Sequence, residues 1–206
     1  MRRFVAVASL AIASCAARAP VQMPSTLATA GVMRLVGRYG IAHACAVDGV
    51  ILTAAHVVQP FTLADSPIAE SILSYTWSDD LGNEGVVVGA MVMASRDLGM
   101  LELRTGTPRN YAHSLAELTV GQEVFWEEYD LTKVQSAYQP VIRRAKVVTL
   151  LSGHVLLDPA PAKGASGGCL FDSAGQVNGI MIWSERFPRG GVGWAASVAG
   201  QWWPIP

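Results

Sequence analysis

Beyond residue 31 this chain never sustains a helical period. Apolar residues, many of them β-branched, arrive in short runs, and each run stops at a cluster of Gly, Pro, Asp or Asn. That is the pattern of strands joined by turns. A first set of runs covers Val32 to Val36, Ile41 to Ala46, Val50 to Thr53, Ser71 to Trp77, Val86 to Ala94 and Met100 to Leu103. A second covers Glu123 to Trp126, Gln139 to Thr149, Val155 to Leu157, Cys169 to Phe171, Val177 to Trp183 and Gly193 to Val198. Asp79-Asp80-Leu81-Gly82-Asn83 and Asp172-Ser173-Ala174-Gly175 read as turns, and Thr105 to Asn110 as a crossover between the two sets. No internal sequence repeat is evident. The fold class is all-β.

Composition narrows the function. A length of 206 residues suits one or two small domains, and 51% hydrophobic against 15% charged residues leaves ample material for a core. A net charge of −1 points to neither nucleic acid nor an acidic substrate. Trp202 and Trp203 lack the interleaved basic residues of a base-stacking surface and read as a cap on the fold.

The N-terminus follows a different logic. Met1-Arg2-Arg3 precedes the apolar run Phe4 to Ala13, too short to span a bilayer and shaped like an export signal. Ile12-Ala13-Ser14-Cys15 resembles the bacterial lipobox, in which the cysteine is lipidated and becomes the new N-terminus. Cleavage after Ala17-Arg18-Ala19 is the rival reading, disfavoured by Pro20, and an incidental Cys15 is the third. Residues 1–19 are therefore read as the export signal and 20–30 as a tether to a folded domain spanning 31–206. The expected location is the periplasm or a membrane face reached through a lipidated Cys15, with secretion as the alternative.

Three stretches carry chemistry. They are Leu52-Thr53-Ala54-Ala55-His56, Arg96-Asp97-Leu98-Gly99-Met100-Leu101 and Lys163-Gly164-Ala165-Ser166-Gly167-Gly168. A serine hydroxyl is a weak nucleophile at neutral pH and needs a base within hydrogen-bond reach. Histidine suits that task, one ring nitrogen taking the proton while a carboxylate holds the other. Glycines around the nucleophile leave backbone N–H groups free for the oxyanion, each donor contributing on the order of 3 kcal/mol. Ser166 is thus the candidate nucleophile, His56 the base and then acid, Asp97 the orienting acid, and the N–H groups of Gly164 and Ser166 the oxyanion hole. This set needs no cofactor. His43, His113 and His154 lack metal-site spacing, so no metal is expected. Glu127-Glu128 with Asp130, and Arg143-Arg144 with Lys146, read as solvated faces.

In the order His, Asp, Ser, these motifs resemble the trypsin/chymotrypsin-like serine proteases, closer to the compact bacterial, HtrA-like branch, over roughly Gly31 to Ala199. The chain reads Trp202-Trp203-Pro204-Ile205-Pro206 where HtrA-like proteins continue into a PDZ module, so a protease domain without one is expected. The resemblance implies two packed six-stranded antiparallel barrels, about residues 31–108 and about 109–206, with the site in the cleft between them. It implies a serine endopeptidase acting on peptide or protein substrates, the alternative being a silent relative that only binds peptides. It places Ala160 at the base of the primary specificity pocket, Ile182, Trp183 and Ser184 on a substrate-pairing wall, and Gly191 in a flanking turn. With no acid at the base, a small or apolar residue is expected before the scissile bond, while neighbouring Asp158 supports the rival basic preference. The resemblance also brings Cys45 and Cys169 near the catalytic centre, where a disulfide and two buried thiols are both open. Two departures stand out. Ala165 occupies the position of the aspartate that pairs with a processed N-terminus, and Ile182 that of a serine that serves the catalytic acid.

Overall fold

The computed structural model describes residues 33–37, 40–58, 75–79, 81–93, 96–129, 140–151, 153–162, 164–182 and 193–197. Its strands are β1 (Met33–Gly37), β2 (Gly40–Val47), β3 (Val50–Ala54), β4 (Thr76–Ser78), β5 (Glu84–Met93), β6 (Leu98–Leu103), β7 (Glu123–Tyr129), β8 (Pro140–Leu151), β9 (His154–Asp158), β10 (Cys169–Phe171), β11 (Val177–Ile182) and β12 (Gly193–Ser197). One short helix, α1 (Ala55–Val58), follows β3. All pairings between these strands are antiparallel and close two barrels. The first runs β1-β2-β3-β6-β5-β4; the second, started from β7, runs β7-β8-β9-β12-β11-β10. Strand for strand, the two orders are the same.

A shared turn accompanies the shared order. The β4–β5 and β10–β11 hairpins hold equivalent places, and each is built on a buried aspartate. Asp79 Oδ1 accepts the N–H groups of Leu81 and Asn83, and Asp172 Oδ1 those of Ala174 and Gln176. In both, a glycine at positive φ completes the turn, Gly82 at 85° and Gly175 at 77°. An aspartate that bonds the backbone two residues on is a self-contained turn former, so the same solution serves twice.

Period-two alternation decides what faces what. In the second barrel Val124, Trp126, Leu170 and Met181 point inward to a core with Val147, Val155 and Leu157. Their neighbours Phe125, Cys169, Phe171, Ile180 and Ile182 point outward, yet they are buried against the first barrel with Cys45, Leu52 and Val57. That is why β10 reads as an unbroken apolar run and β11 as one interrupted only near its start by Asn178: both faces of each strand are covered. The linker is pinned to both barrels, Tyr111 bridging Val47 and His113 bridging Val177. Tyr111 also meets Phe171 edge-on at 5.0 Å. A disulfide between Cys45 on β2 and Cys169 on β10 ties one barrel to the other.

Candidate active site

His56 lies where β3 gives way to α1, and Asp97 holds it there. Ala55 N–H donates to the Asp97 carbonyl (2.9 Å), His56 N–H to Asp97 Oδ1 (2.9 Å), and the His56 imidazole bonds Asp97 Oδ2 through Nδ1 (2.8 Å). One residue thus grips the opening of α1 by its main chain and both carboxylate oxygens. It does so from φ 51°, a left-handed conformation that aspartate tolerates better than most residues. A carboxylate only accepts hydrogen bonds, so Nδ1 carries the proton and Nε2 is left as the basic nitrogen. The carboxylate is therefore satisfied without the serine that Ile182 displaces. Both side chains stay partly open, 39% exposed for His56 and 29% for Asp97.

Ser166 sits on the loop between β9 and β10. Ala165 N–H donates back to the Ala162 carbonyl (3.2 Å), and Gly164, third residue of that turn, has φ 99°. A positive φ at the third residue of a turn asks for glycine at that place. Gly167, at φ 88°, donates to the Met181 carbonyl at 2.7 Å, and the Ser166 carbonyl accepts His43 N–H at 2.9 Å. A Cβ on Gly167 would lie 2.0 Å from the His43 carbonyl oxygen and 2.3 Å from Thr53 Oγ1. Only a bare backbone lets the loop rest so closely on β2 and β3, and β3 is the strand that delivers His56. Ser166 Oγ itself makes no hydrogen bond among the described residues, to His56 or to any other group. Such bonds are often long before substrate arrives. The N–H groups of Gly164 and Ser166 likewise meet no acceptor among the described residues.

The specificity residues are only partly placed. Ala160 is half-buried in the loop leading to Ser166, and Ile182 is buried at the end of β11. Asp158, the rival anchor for a basic side chain, is exposed at the end of β9. Trp183, Ser184, Gly191 and the lipidation candidate Cys15 lie outside the described residues, as do Trp202 and Trp203. No cluster of His, Cys, Asp or Glu suited to a metal occurs among the described residues.

Two glutamates correct the reading of the sequence, and a histidine acquires a place that reading did not give it. Glu127 and Glu128 are not solvated: they are 3% and 4% exposed. Glu128 accepts from Trp126 Nε1 (2.9 Å), Arg143 Nε (2.7 Å) and Ala162 N–H (3.2 Å), so it anchors the start of the Ser166 turn. The neighbouring indole, a buried donor in need of an acceptor, was the available clue. His43 is 1% exposed, and its Nδ1 bonds the Gly164 carbonyl at 2.6 Å. Burial pushes its imidazole down from 6.5 to about 4, against the opposing pull of the Gly164 bond and the Glu128 carboxylate. His43 is therefore neutral at ordinary pH.

Residues 40–180 match the sequence pattern of the trypsin-like peptidase domain, more than half of the chain. The chain belongs to the trypsin-like peptidase family. No curated protein sequence matches it. Among solved structures it is similar to the Rv3671c protein of M. tuberculosis H37Rv in the inactive form of a serine-to-alanine mutant. That match has a TM-score of 0.65, 16% identity and 85% coverage of each chain. It is also similar to the serine endoprotease from Yersinia pestis (TM-score 0.61, 18% identity), covering 84% of this chain and 61% of that one. A scabies mite inactivated protease paralogue is a third (TM-score 0.63, 14% identity, 84% and 91% covered). At these identities the likeness is one of fold. Ala165 is fully buried in the apolar core with Trp126, Leu170 and Met181. A carboxylate at that position would have no partner there.

Proposed function

We propose that this chain is a serine endopeptidase working through an acyl-enzyme. The observation that carries the reading is the His56–Asp97 pair, with Nδ1 committed to the carboxylate, set beside a Ser166 turn packed onto β2 and β3. Ser166 Oγ attacks the scissile carbonyl carbon while its proton passes to His56 Nε2. The oxyanion rests on the N–H groups of Gly164 and Ser166. Collapse expels the amine, which takes the proton from His56, and leaves the acyl group on Ser166. Water then attacks, gives its proton to His56, and returns the serine hydroxyl as the acid product departs. Asp97 stabilises the imidazolium in both halves. Ala160 at the pocket base and an exposed Asp158 favour small or apolar side chains before the cleaved bond.

Export accords with the Cys45–Cys169 disulfide, since such bonds persist in oxidising compartments. Attachment through Cys15 is read out by fatty-acid labelling of wild type against Cys15→Ala. The second reading, a silent peptide-binding relative, draws on the lack of a Ser166 Oγ–His56 bond. Turnover separates the two. The wild type should digest casein and show a small or apolar preference on a peptide library. Ser166→Ala should be inert, and Asp97→Asn slower by about 10⁴-fold through the wrong imidazole tautomer. Wild type and Ser166→Ala alike in a sensitive assay would leave only the binding role.

A further inference from the structure

The residue whose N–H serves the oxyanion, Gly164, is also the one most free to turn away. Glycine crosses between backbone regions at little cost, so a turn that depends on its positive φ does not hold itself. In the digestive members of the resembled family an aspartate beside the nucleophile ties this loop to a new N-terminus; here Ala165 is buried among apolar side chains and cannot. Some other group has to fix the turn. Glu128 holds its first residue through Ala162 N–H. At the far end His43 acts twice: its N–H donates to the Ser166 carbonyl (2.9 Å), and its Nδ1 bonds the Gly164 carbonyl (2.6 Å). Because a carbonyl only accepts, Nδ1 is the donor, which fixes the tautomer of a buried ring. The ring's own backbone is braced in turn, since Thr53 Oγ1 donates to the His43 carbonyl (2.8 Å).

Resting on the serine peptidase reading, we infer that His43 is a positioning residue for the oxyanion hole, its Nδ1–H holding the Gly164 carbonyl so that the Gly164 N–H stays aimed at the cleft. It reaches from the first barrel into the loop of the second and touches neither substrate nor the reacting atoms. Its effect is therefore specific: binding is untouched, and the step that builds negative charge on oxygen slows.

The test is the rate of modification by a fluorophosphonate probe, resolved into KI and kinact, in wild type, His43→Val and His43→Asn. Valine removes the donor; asparagine offers an amide N–H near the place of Nδ1. His43→Val should lower kinact roughly 100-fold, the scale of a lost oxyanion donor, with KI unchanged, and His43→Asn should recover most of it. A kinact equal to wild type in His43→Val, or equal losses in Val and Asn variants, would overturn the inference while leaving the peptidase reading intact. A wild type that takes no probe would overturn that reading, and this inference with it. Should His43→Val fail to fold, ¹⁵N NMR of the wild-type ring decides the matter. Nδ1 is expected as the protonated nitrogen before and after modification of Ser166, and an unprotonated Nδ1 would refute the role.

Discussion

Cutting the Cys45–Cys169 cross-link should remove about 5 kcal/mol of stability. The bond joins β2 to β10 across a sequence separation of 124, so the loop it closes spans most of the described chain. In the chain-entropy account that loop corresponds to an entropy near 16 cal/mol/K, or about 5 kcal/mol at 25 °C. Both half-cystines are fully buried between the barrels, so Cys45→Ala/Cys169→Ala also leaves a small void worth ~1 kcal/mol more. A domain of this kind holds ~5–15 kcal/mol in all, so the loss is a third of it or more. Urea denaturation of the oxidised wild type and the double variant measures it. The midpoint should fall and the m-value should rise, because an uncrosslinked unfolded chain exposes more surface. The melting temperature should drop by about 10–20 °C for a chain of this length. A stability difference below about 2 kcal/mol with an unchanged m-value would refute the reasoning. The uncrosslinked unfolded chain would then retain enough residual structure that the disulfide removes little of its freedom.

Other consequences are local. Gly167→Ala should destabilise by about 3 kcal/mol or more, since its methyl meets the His43 carbonyl at 2.0 Å from φ 88°. Gly153→Ala shares a positive φ of 83° but meets nothing within 4 Å, and should lose only ~1 kcal/mol in the same urea titration. Glu128→Ala should lower stability by about 2–3 kcal/mol, because the Trp126 indole and Ala162 N–H lose their acceptor while the half-exposed Arg143 turns to water. His43 sets an acid limb. Its folded value of about 4 lies below the 6.5 of the unfolded chain, so the unfolded state binds more protons between these values. The stabilisation is complete above pH 6.5 and lost as pH falls to about 4, a total near 3 kcal/mol. Urea midpoints from pH 7.5 to 4 should show a slope in wild type that is shallower in His43→Asn; parallel curves would assign the limb to other groups.

The strands were legible because their apolar runs and turns are local signals. β10 matches its run at both ends, β2 extends one residue past its run at each end, and β3 one residue past its run at the C-terminal end; the last residue of the β12 run, Val198, lies outside the described residues. The barrels were not legible from period alone: the run Val177 to Ile182 does not alternate, every residue of it being buried, Asn178 included, and only the packing of barrel on barrel explains two covered faces. The repeat of strand order left a trace in the sequence, Asp-x-x-Gly at residues 79–82 and 172–175, too short to notice without the topology. Asp97 was readable as an acid beside a strand, but its left-handed backbone, which turns its carbonyl and carboxylate onto α1, was not. His43 and Glu128 were passed over for one reason. Polar residues within strands are usually solvated, and what buries these two is contact with a loop more than 30 residues away in the chain.

The account stands on Ser166 being an activated nucleophile. Its most direct measurement is the intact mass of the protein after treatment with diisopropyl fluorophosphate, followed by peptide mapping of the adduct. The account predicts one phosphoryl group per chain, located on Ser166 and lost in His56→Ala. A wild type of unchanged mass, or an adduct on another residue, would contradict it.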